Sequence, residues 1–176
     1  MRARMRALDA AYVEGSNAAI CARLLALPEY RAAGRIFAYF SVGREPDTHA
    51  VIRTALDAGK EVFLPVITGD GLMDFARYFG TEPLGESALH IPEPGADAPR
   101  ALPEGTDLLL VPAVSFDPEG YRLGQGGGFY DRFLAKCRVF SAGLCREQML
   151  CPQAPREAHD MGVDCVVTEA RILRCR

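Results

Sequence analysis

The chain has 176 residues, 49% of them apolar and 24% charged, with a formal net charge of −3. That length suits one domain whose core needs no disulfide or metal staple. The charge gives no global field for nucleic acid, and no apolar run approaches the roughly 20 residues of a membrane span, so a soluble protein with neither nucleic acid nor membrane as a partner is expected.

Arg2, Arg4 and Arg6 make the N-terminus basic, but no apolar stretch follows that would serve as a secretory leader, so a cytoplasmic protein is expected. Ser16 or Asn17 reads as the N-cap of a first helix, with Ala19, Ile20, Leu24 and Leu27 as its apolar stripe, the Arg23 stem beside them, and Pro28 as its end. Ile36–Phe40 is a compact strand. Asp47 or Thr48 caps a second helix running to Ala58, with Gly59 just past its end. Val62–Val66 is the next strand, and the strand–helix–strand order predicts a parallel pair joined by a right-handed crossover.

Leu72–Tyr78 has the alternation of a strand, with Met73, Phe75 and Arg77 set against Asp74, Ala76 and Tyr78. Pro83, Pro92, Pro94, Pro99 and Pro103 then interrupt the chain, which predicts loops over the sheet edge. Leu108–Val111 is a buried strand closed by Pro112. Val139–Leu144 is another, residues 146–160 are polar and irregular, and Val163–Val167 is expected to be the last strand. The sum is a three-layer open α/β sandwich with a largely parallel sheet, in which ligands bind at the carboxyl ends of the strands. Glu45, Pro65, Pro112 and the segment after it all follow strand ends.

That segment, Asp117–Asp131, carries the chemistry. Gly120, Gly124, Gly126, Gly127 and Gly128 place five glycines in nine residues, and a helical pattern led by Phe129, Tyr130, Phe133 and Leu134 follows, reaching Cys137. Strand, glycine loop and helix start put unpaired backbone N–H groups in one place, which favours an anion such as phosphate. Arg122 adds a planar cation and Asp131 a hard oxygen ligand for a magnesium ion on a polyphosphate. The loop is not a Walker A motif, since no Lys-Ser/Thr pair follows it, and its glycines do not take the dinucleotide G-x-G-x-x-G spacing. A plain tight turn is the competing reading. The six cysteines form no C-x-x-C pair and no histidine sits at a ligand spacing from them, so reduced thiols are expected, several of them acting as small buried hydrophobes.

The run V-P-A-V-S-F-D-P-E-G-Y-R-L-G-Q-G-G-G-F-Y-D-R-F-L, Val111 to Leu134, resembles the signature of the 5-formyltetrahydrofolate cyclo-ligase family. A-Y-F-S-V-G-R-E-P-D-T from Ala38, G-K-E-V-F-L-P-V from Gly59, I-P-E-P from Ile91, G-L-C-R-E-Q from Gly143, H-D-M from His159 and V-V-T from Val166 agree in order. The resemblance implies a fold like that of sugar-phosphate isomerases and CoA transferases. It also implies conversion of 5-formyltetrahydrofolate and MgATP to 5,10-methenyltetrahydrofolate, ADP and phosphate.

Carried over residue by residue, it implies an ATP-binding stretch of Arg122, Leu123, Gly124, Gln125, Gly126, Gly127, Gly128, Phe129 and Tyr130, with Arg122 and Tyr130 as the catalytic candidates. It implies Phe40 and Glu45 for the folate, and Asp131 and Asp160 for Mg2+. Read without the resemblance, Glu45 or Asp47 is a helix cap, Phe40 a core residue and Asp160 part of a solvated turn. Two features depart from the family. Its N-terminal Lys-x-x-x-Arg element has no clean counterpart, so either the true start lies upstream or Arg2, Arg4 and Arg6 supply the charge; and Gly127 stands where some members have Lys. The alternatives are a folate- or nucleotide-binding module without turnover, motivated by that N-terminus, and an isomerase-like enzyme of the same fold. A monomer or weak homodimer is expected.

Overall fold

The structure, a computed structural model, describes residues 1–87 and 90–175. The chain begins with α1 (Arg2–Arg6), α2 (Ala10–Ala26) and α3 (Pro28–Ala32), followed by β1 (Arg35–Phe37), α4 (His49–Asp57), β2 (Glu61–Gly69) and β3 (Leu72–Tyr78). Three two-residue strands, β4 (Gly85–Glu86), β5 (Pro92–Glu93) and β6 (Arg100–Ala101), precede β7 (Leu108–Val111). The short strands β8 (Ser115–Phe116) and β9 (Arg122–Leu123), helix α5 (Phe129–Leu134), β10 (Phe140–Leu144), β11 (Cys165–Val167) and β12 (Ile172–Arg174) follow.

Eight strands form one sheet in the order β12-β11-β10-β7-β1-β2-β3-β6. The inner strands β11, β10, β7, β1 and β2 are mutually parallel; β12 and β3 run antiparallel to them, and the edge strand β6 pairs antiparallel with β3. The predicted unit β1–α4–β2 is present, with Ile36 paired to Val62 and Phe37 to Phe63. Alternation along β7 splits the core: Leu108 and Leu110 face Ile20, Leu24, Val51 and Ala55 of α2 and α4, while Leu109 and Val111 face Phe116 and Phe133. Burial on both faces is why the run Leu108–Val111 contains no polar residue.

Several expectations change. The first helix is capped by Asp9, whose Oδ1 accepts from the N–H of Ala11 and Tyr12 at 2.9 and 3.2 Å, so it starts before Ser16 and Asn17. Ser16 is buried in its middle, donating to the Val13 carbonyl and accepting from Arg146, a tertiary partner that keeps a cap-like residue inside a helix. Pro28 opens α3 instead of merely ending α2. The β1 ladder stops at Phe37, and Ala38–Phe40 leave the sheet toward the site. The last strand is β12, paired antiparallel with β11.

The proline-rich segment is loop-like, as predicted, but includes the β4–β5 hairpin and the edge strand β6. The helix expected to reach Cys137 ends at Leu134. The second face is therefore covered by one short helix, the β8–β9 hairpin and irregular chain, a thinner third layer than the sequence suggested. Helix α4 ends as read: Gly59 has φ +74°, and the N–H groups of Lys60 and Gly59 reach the carbonyls of Ala55 and Leu56, closing its C-terminus in a Schellman turn.

Candidate active site

The carboxyl ends of β2, β1 and β7 open onto a cavity of about 650 Å³. Its floor comes from the strand exits: Pro65 and Ile67 after the middle of β2, Tyr39 and Phe40 after β1, and Pro112 to Val114 after β7. Every residue that the resemblance assigned to nucleotide, folate or metal lines it, namely Phe40, Glu45, Arg122, Leu123, Gly124 to Gly128, Phe129, Tyr130, Asp131 and Asp160, whereas Arg2, Arg4 and Arg6 do not. A parallel sheet brings segments far apart in sequence to one edge, which is why they meet.

The glycine segment does not follow β7 directly. Strands β8 and β9 first pair Ser115 with Leu123 and Phe116 with Arg122. Asp117 holds their connecting turn: its Oδ1 accepts from the N–H of Glu119 and Tyr121, and its Oδ2 from Ala154, with the residue 1% exposed. At Gly120, φ is +84° and a Cβ would lie 2.5 Å from the Val163 carbonyl oxygen, so only glycine fits that corner.

Beyond it, Gly126 and Gly128 adopt φ +94° and +64° while Gly127 between them does not enter the left-handed region, an alternation that turns successive N–H groups into a concave nest. Among the described residues, the N–H groups of Gly124 to Gly128 donate to no protein acceptor. The loop's carbonyls are held instead: Arg2 donates to Gln125 O at 3.0 Å, and Arg132 donates to Gly127 O and, at 2.8 Å, to Gly71 O. Of the three N-terminal arginines, Arg2 is the one that reaches the loop. Helix α5 spans only Phe129–Leu134, so an anion here would meet the nest rather than the dipole of a long helix.

Arg122 is not a free cation. Its guanidinium lies 2.7 Å from Asp131 Oδ1 and donates to the Met161 carbonyl at 2.7 Å, with its side chain 6% exposed. Asp131 Oδ1 also accepts from the Met161 N–H at 3.0 Å, leaving Oδ2 uncommitted. The pair ties the glycine segment and α5 to the 157–161 turn, where Asp160 Oδ2 accepts from the Glu157 N–H at 2.7 Å. His159 is exposed and lies 3.7 Å from Glu157 and 3.8 Å from Asp160.

Across the cavity, Glu45 Oε2 accepts from the Val42 N–H at 3.0 Å, and burial raises its pKa above the ordinary carboxylate range against that hydrogen bond. The role of helix cap falls to Asp47, which accepts from the His49 and Ala50 N–H groups, while Thr48 makes no side-chain cap. Tyr130 lines the cavity, and its covered hydroxyl has no hydrogen-bond partner among the described residues. Burial, and then the charge of Glu45, drive its pKa far up, so it stays protonated and able to donate. Phe40 lies against the His49 ring, centroids 4.2 Å apart, and forms part of the cavity wall.

Sequence reasoning gave no role to Arg146 or Glu93, although both fall in quoted motifs. Arg146 is 1% exposed and donates to Ser16 Oγ at 2.9 Å, Asn17 Oδ1 at 2.6 Å and the carbonyls of Arg44 at 2.7 Å and Glu45 at 3.3 Å, clamping the Glu45 loop onto α2. Its place as the first charged residue after the mostly apolar run Phe140–Cys145 was the available signal. Cys145 and Cys165 are buried small hydrophobes as expected, their thiols pushed up to about 12 by desolvation.

An open, mostly parallel α/β sheet carries at its strand ends a cavity with a glycine nest of uncommitted N–H groups on one side and a carboxylate on the other, an arrangement suited to holding a small molecule beside an anion. Residues 1–169 match the profile of the 5-formyltetrahydrofolate cyclo-ligase family, and the chain belongs to that family. The 5-formyltetrahydrofolate cyclo-ligase of Escherichia coli (strain K12) is 32% identical, covering 98% of each chain. The mouse protein of the same name is 30% identical over 96% of this chain and 90% of its own. Among solved structures, the 5,10-methenyltetrahydrofolate synthetase of Aquifex aeolicus superposes with a TM-score of 0.80 at 33% identity, covering 91% of this chain and 81% of that one.

Proposed function

We propose that the protein converts 5-formyltetrahydrofolate and ATP to 5,10-methenyltetrahydrofolate, ADP and phosphate. The observation that carries this reading is the convergence of an uncommitted amide nest and the Phe40–Glu45 wall on one cavity, in a chain of this family. A formamide is a poor electrophile, since its nitrogen lone pair is delocalised, and its oxygen is a poor leaving group. Transfer of the γ-phosphoryl group to that oxygen removes both obstacles; folate N10 then attacks within the same molecule and phosphate departs.

Such a reaction asks the protein for positioning and charge stabilisation. The N–H groups of Gly124 to Gly128 receive the phosphates. Phe40 and Glu45 hold the pterin, the carboxylate accepting from its ring N–H groups. The protonated Tyr130 hydroxyl, unpaired in the protein, donates to the formyl or transferring phosphoryl oxygen. Arg122 acts through Asp131, fixing that carboxylate and lending positive charge behind the phosphates.

No three His, Cys, Asp or Glu side chains among the described residues form a self-sufficient metal cage, which suits a Mg2+ that arrives on a polyphosphate and needs one or two carboxylates. Asp131, through its uncommitted oxygen, and Asp160 would hold it; when bound it neutralises phosphate charge. No helix among the described residues is long and apolar enough to cross a membrane. We place the enzyme in the cytoplasm as a monomer or weak homodimer. The test is to follow the near-ultraviolet absorbance of the methenyl product with 5-formyltetrahydrofolate and MgATP. ATP-dependent product is expected; its absence, with ligands still bound, would leave a binding module without turnover.

A further inference from the structure

Two carboxylates in the cavity have no cation to answer them. Glu45 and Glu93 both line it, and neither takes part in an ion pair among the described residues. Asp131, on the nucleotide side, is closed onto Arg122. The two glutamates are anchored alike, each by one backbone amide: the Val42 N–H donates to Glu45 Oε2 at 3.0 Å and the Ile67 N–H to Glu93 Oε2 at 3.1 Å.

The place of Glu93 follows from the sheet. The β1–β2 ladder ends at Phe37 and Phe63, so among the described residues the later part of β2 is ladder-paired with β3 alone. Strand β5 folds back beside β2 there, and its Glu93 satisfies the N–H of Ile67. This fixes a half-buried carboxylate at the cavity wall with its second oxygen uncommitted. Partly desolvating such a group without a counter-charge is unfavourable unless a ligand brings donors to it.

We propose that Glu93 is a second recognition residue for the pterin ring, acting beside Glu45; this rests on reading the site as one for 5-formyltetrahydrofolate. The 2-amino group, N3–H and N8–H of a reduced pterin are donors on an uncharged ring. They complement two carboxylates held by their protein amides at one oxygen each. The same two charges repel a triphosphate from this end of the cavity and leave it the glycine nest, whose N–H groups are its complement. Glu93 therefore sets orientation as well as affinity, attracting one ligand and excluding the other.

Glu93→Gln tests this, because the amide oxygen still accepts from Ile67 and the volume is kept. The KM for 5-formyltetrahydrofolate should rise about tenfold, as for one charge-assisted hydrogen bond, with the KM for ATP unchanged. Calorimetric binding of 5-formyltetrahydrofolate without nucleotide should weaken by the same factor. Glu93→Ala, which strands the Ile67 N–H, should lower the melting temperature where Glu93→Gln does not. An unchanged folate KM and binding constant, or an equal rise in both KM values, overturns the proposal. So does a glutamine variant whose melting temperature falls as far as the alanine variant's while its folate affinity stays at the parent value. A parent protein that forms product while the variant matches it refutes only the role of Glu93; a parent that forms none refutes the cyclo-ligase reading itself.

Discussion

Replacing Arg146 with methionine removes a buried guanidinium while keeping much of its stem. Its four hydrogen bonds, to Ser16, Asn17 and the carbonyls of Arg44 and Glu45, are lost, although Asn17 Oδ1 keeps the Asp47 N–H. At about 1 kcal/mol net for each bond, the loss is about 4 kcal/mol. Part of that is offset, since the cation has no carboxylate in ion-pair contact among the described residues and burial already draws its pKa below the usual arginine value. A net destabilisation of about 2–3 kcal/mol follows, a large share of the roughly 5–15 kcal/mol of a typical domain.

The same change frees the loop that presents Glu45, so the KM for 5-formyltetrahydrofolate should rise more than that for ATP. Arg146→Lys, a point charge that cannot span all four acceptors, should fall between. Urea unfolding followed by circular dichroism gives the stability, and initial rates at varied folate and ATP give the split. A methionine variant that unfolds within about 0.5 kcal/mol of the parent, with both KM values unaltered, would refute the clamp.

Glu45→Gln has a pH signature. Because folding raises the Glu45 pKa, its ionised form costs stability above the folded pKa and costs nothing below the ordinary carboxylate range. The glutamine variant should therefore be more stable than the parent near neutrality, with the gain vanishing in acid, while folate binding weakens; a pH-independent difference in melting temperature counts against it. Tyr130→Phe removes a buried hydroxyl that lacks a partner among the described residues; stability should hold or rise by about 1 kcal/mol while kcat falls about tenfold or more. Unchanged kcat would mean that the hydroxyl touches nothing that reacts. Asp131→Asn leaves Arg122 without its carboxylate, and a loss of about 1–3 kcal/mol is expected together with a higher Mg2+ requirement. Chelation should stop turnover reversibly yet leave 5-formyltetrahydrofolate binding intact in calorimetry; full activity in chelator would exclude the metal.

The sequence by itself determined the elements whose signals are local. Apolar runs set the inner strands, Gly59 set the end of α4, and the order β1–α4–β2 set a parallel pair whose carboxyl ends border the cavity. It also picked out residues that share the cavity, since the glycine segment and Glu45 each follow a strand end. What only the tertiary structure decided are partnerships across long separations. Ser16 had the chemistry of a helix start, but it lies within α2 facing Arg146, 130 residues away. Arg122 and Asp131 looked like two independent ligands; folding makes them a pair, with the Arg122 guanidinium turned onto the Asp131 carboxylate. Glu93 sat in a proline-rich stretch without periodicity, and becomes a wall of the site because β1 leaves the sheet early and exposes an amide on β2. Capping, periodicity and turn preference act over a few residues, whereas which buried donor meets which acceptor depends on how the whole sheet is ordered.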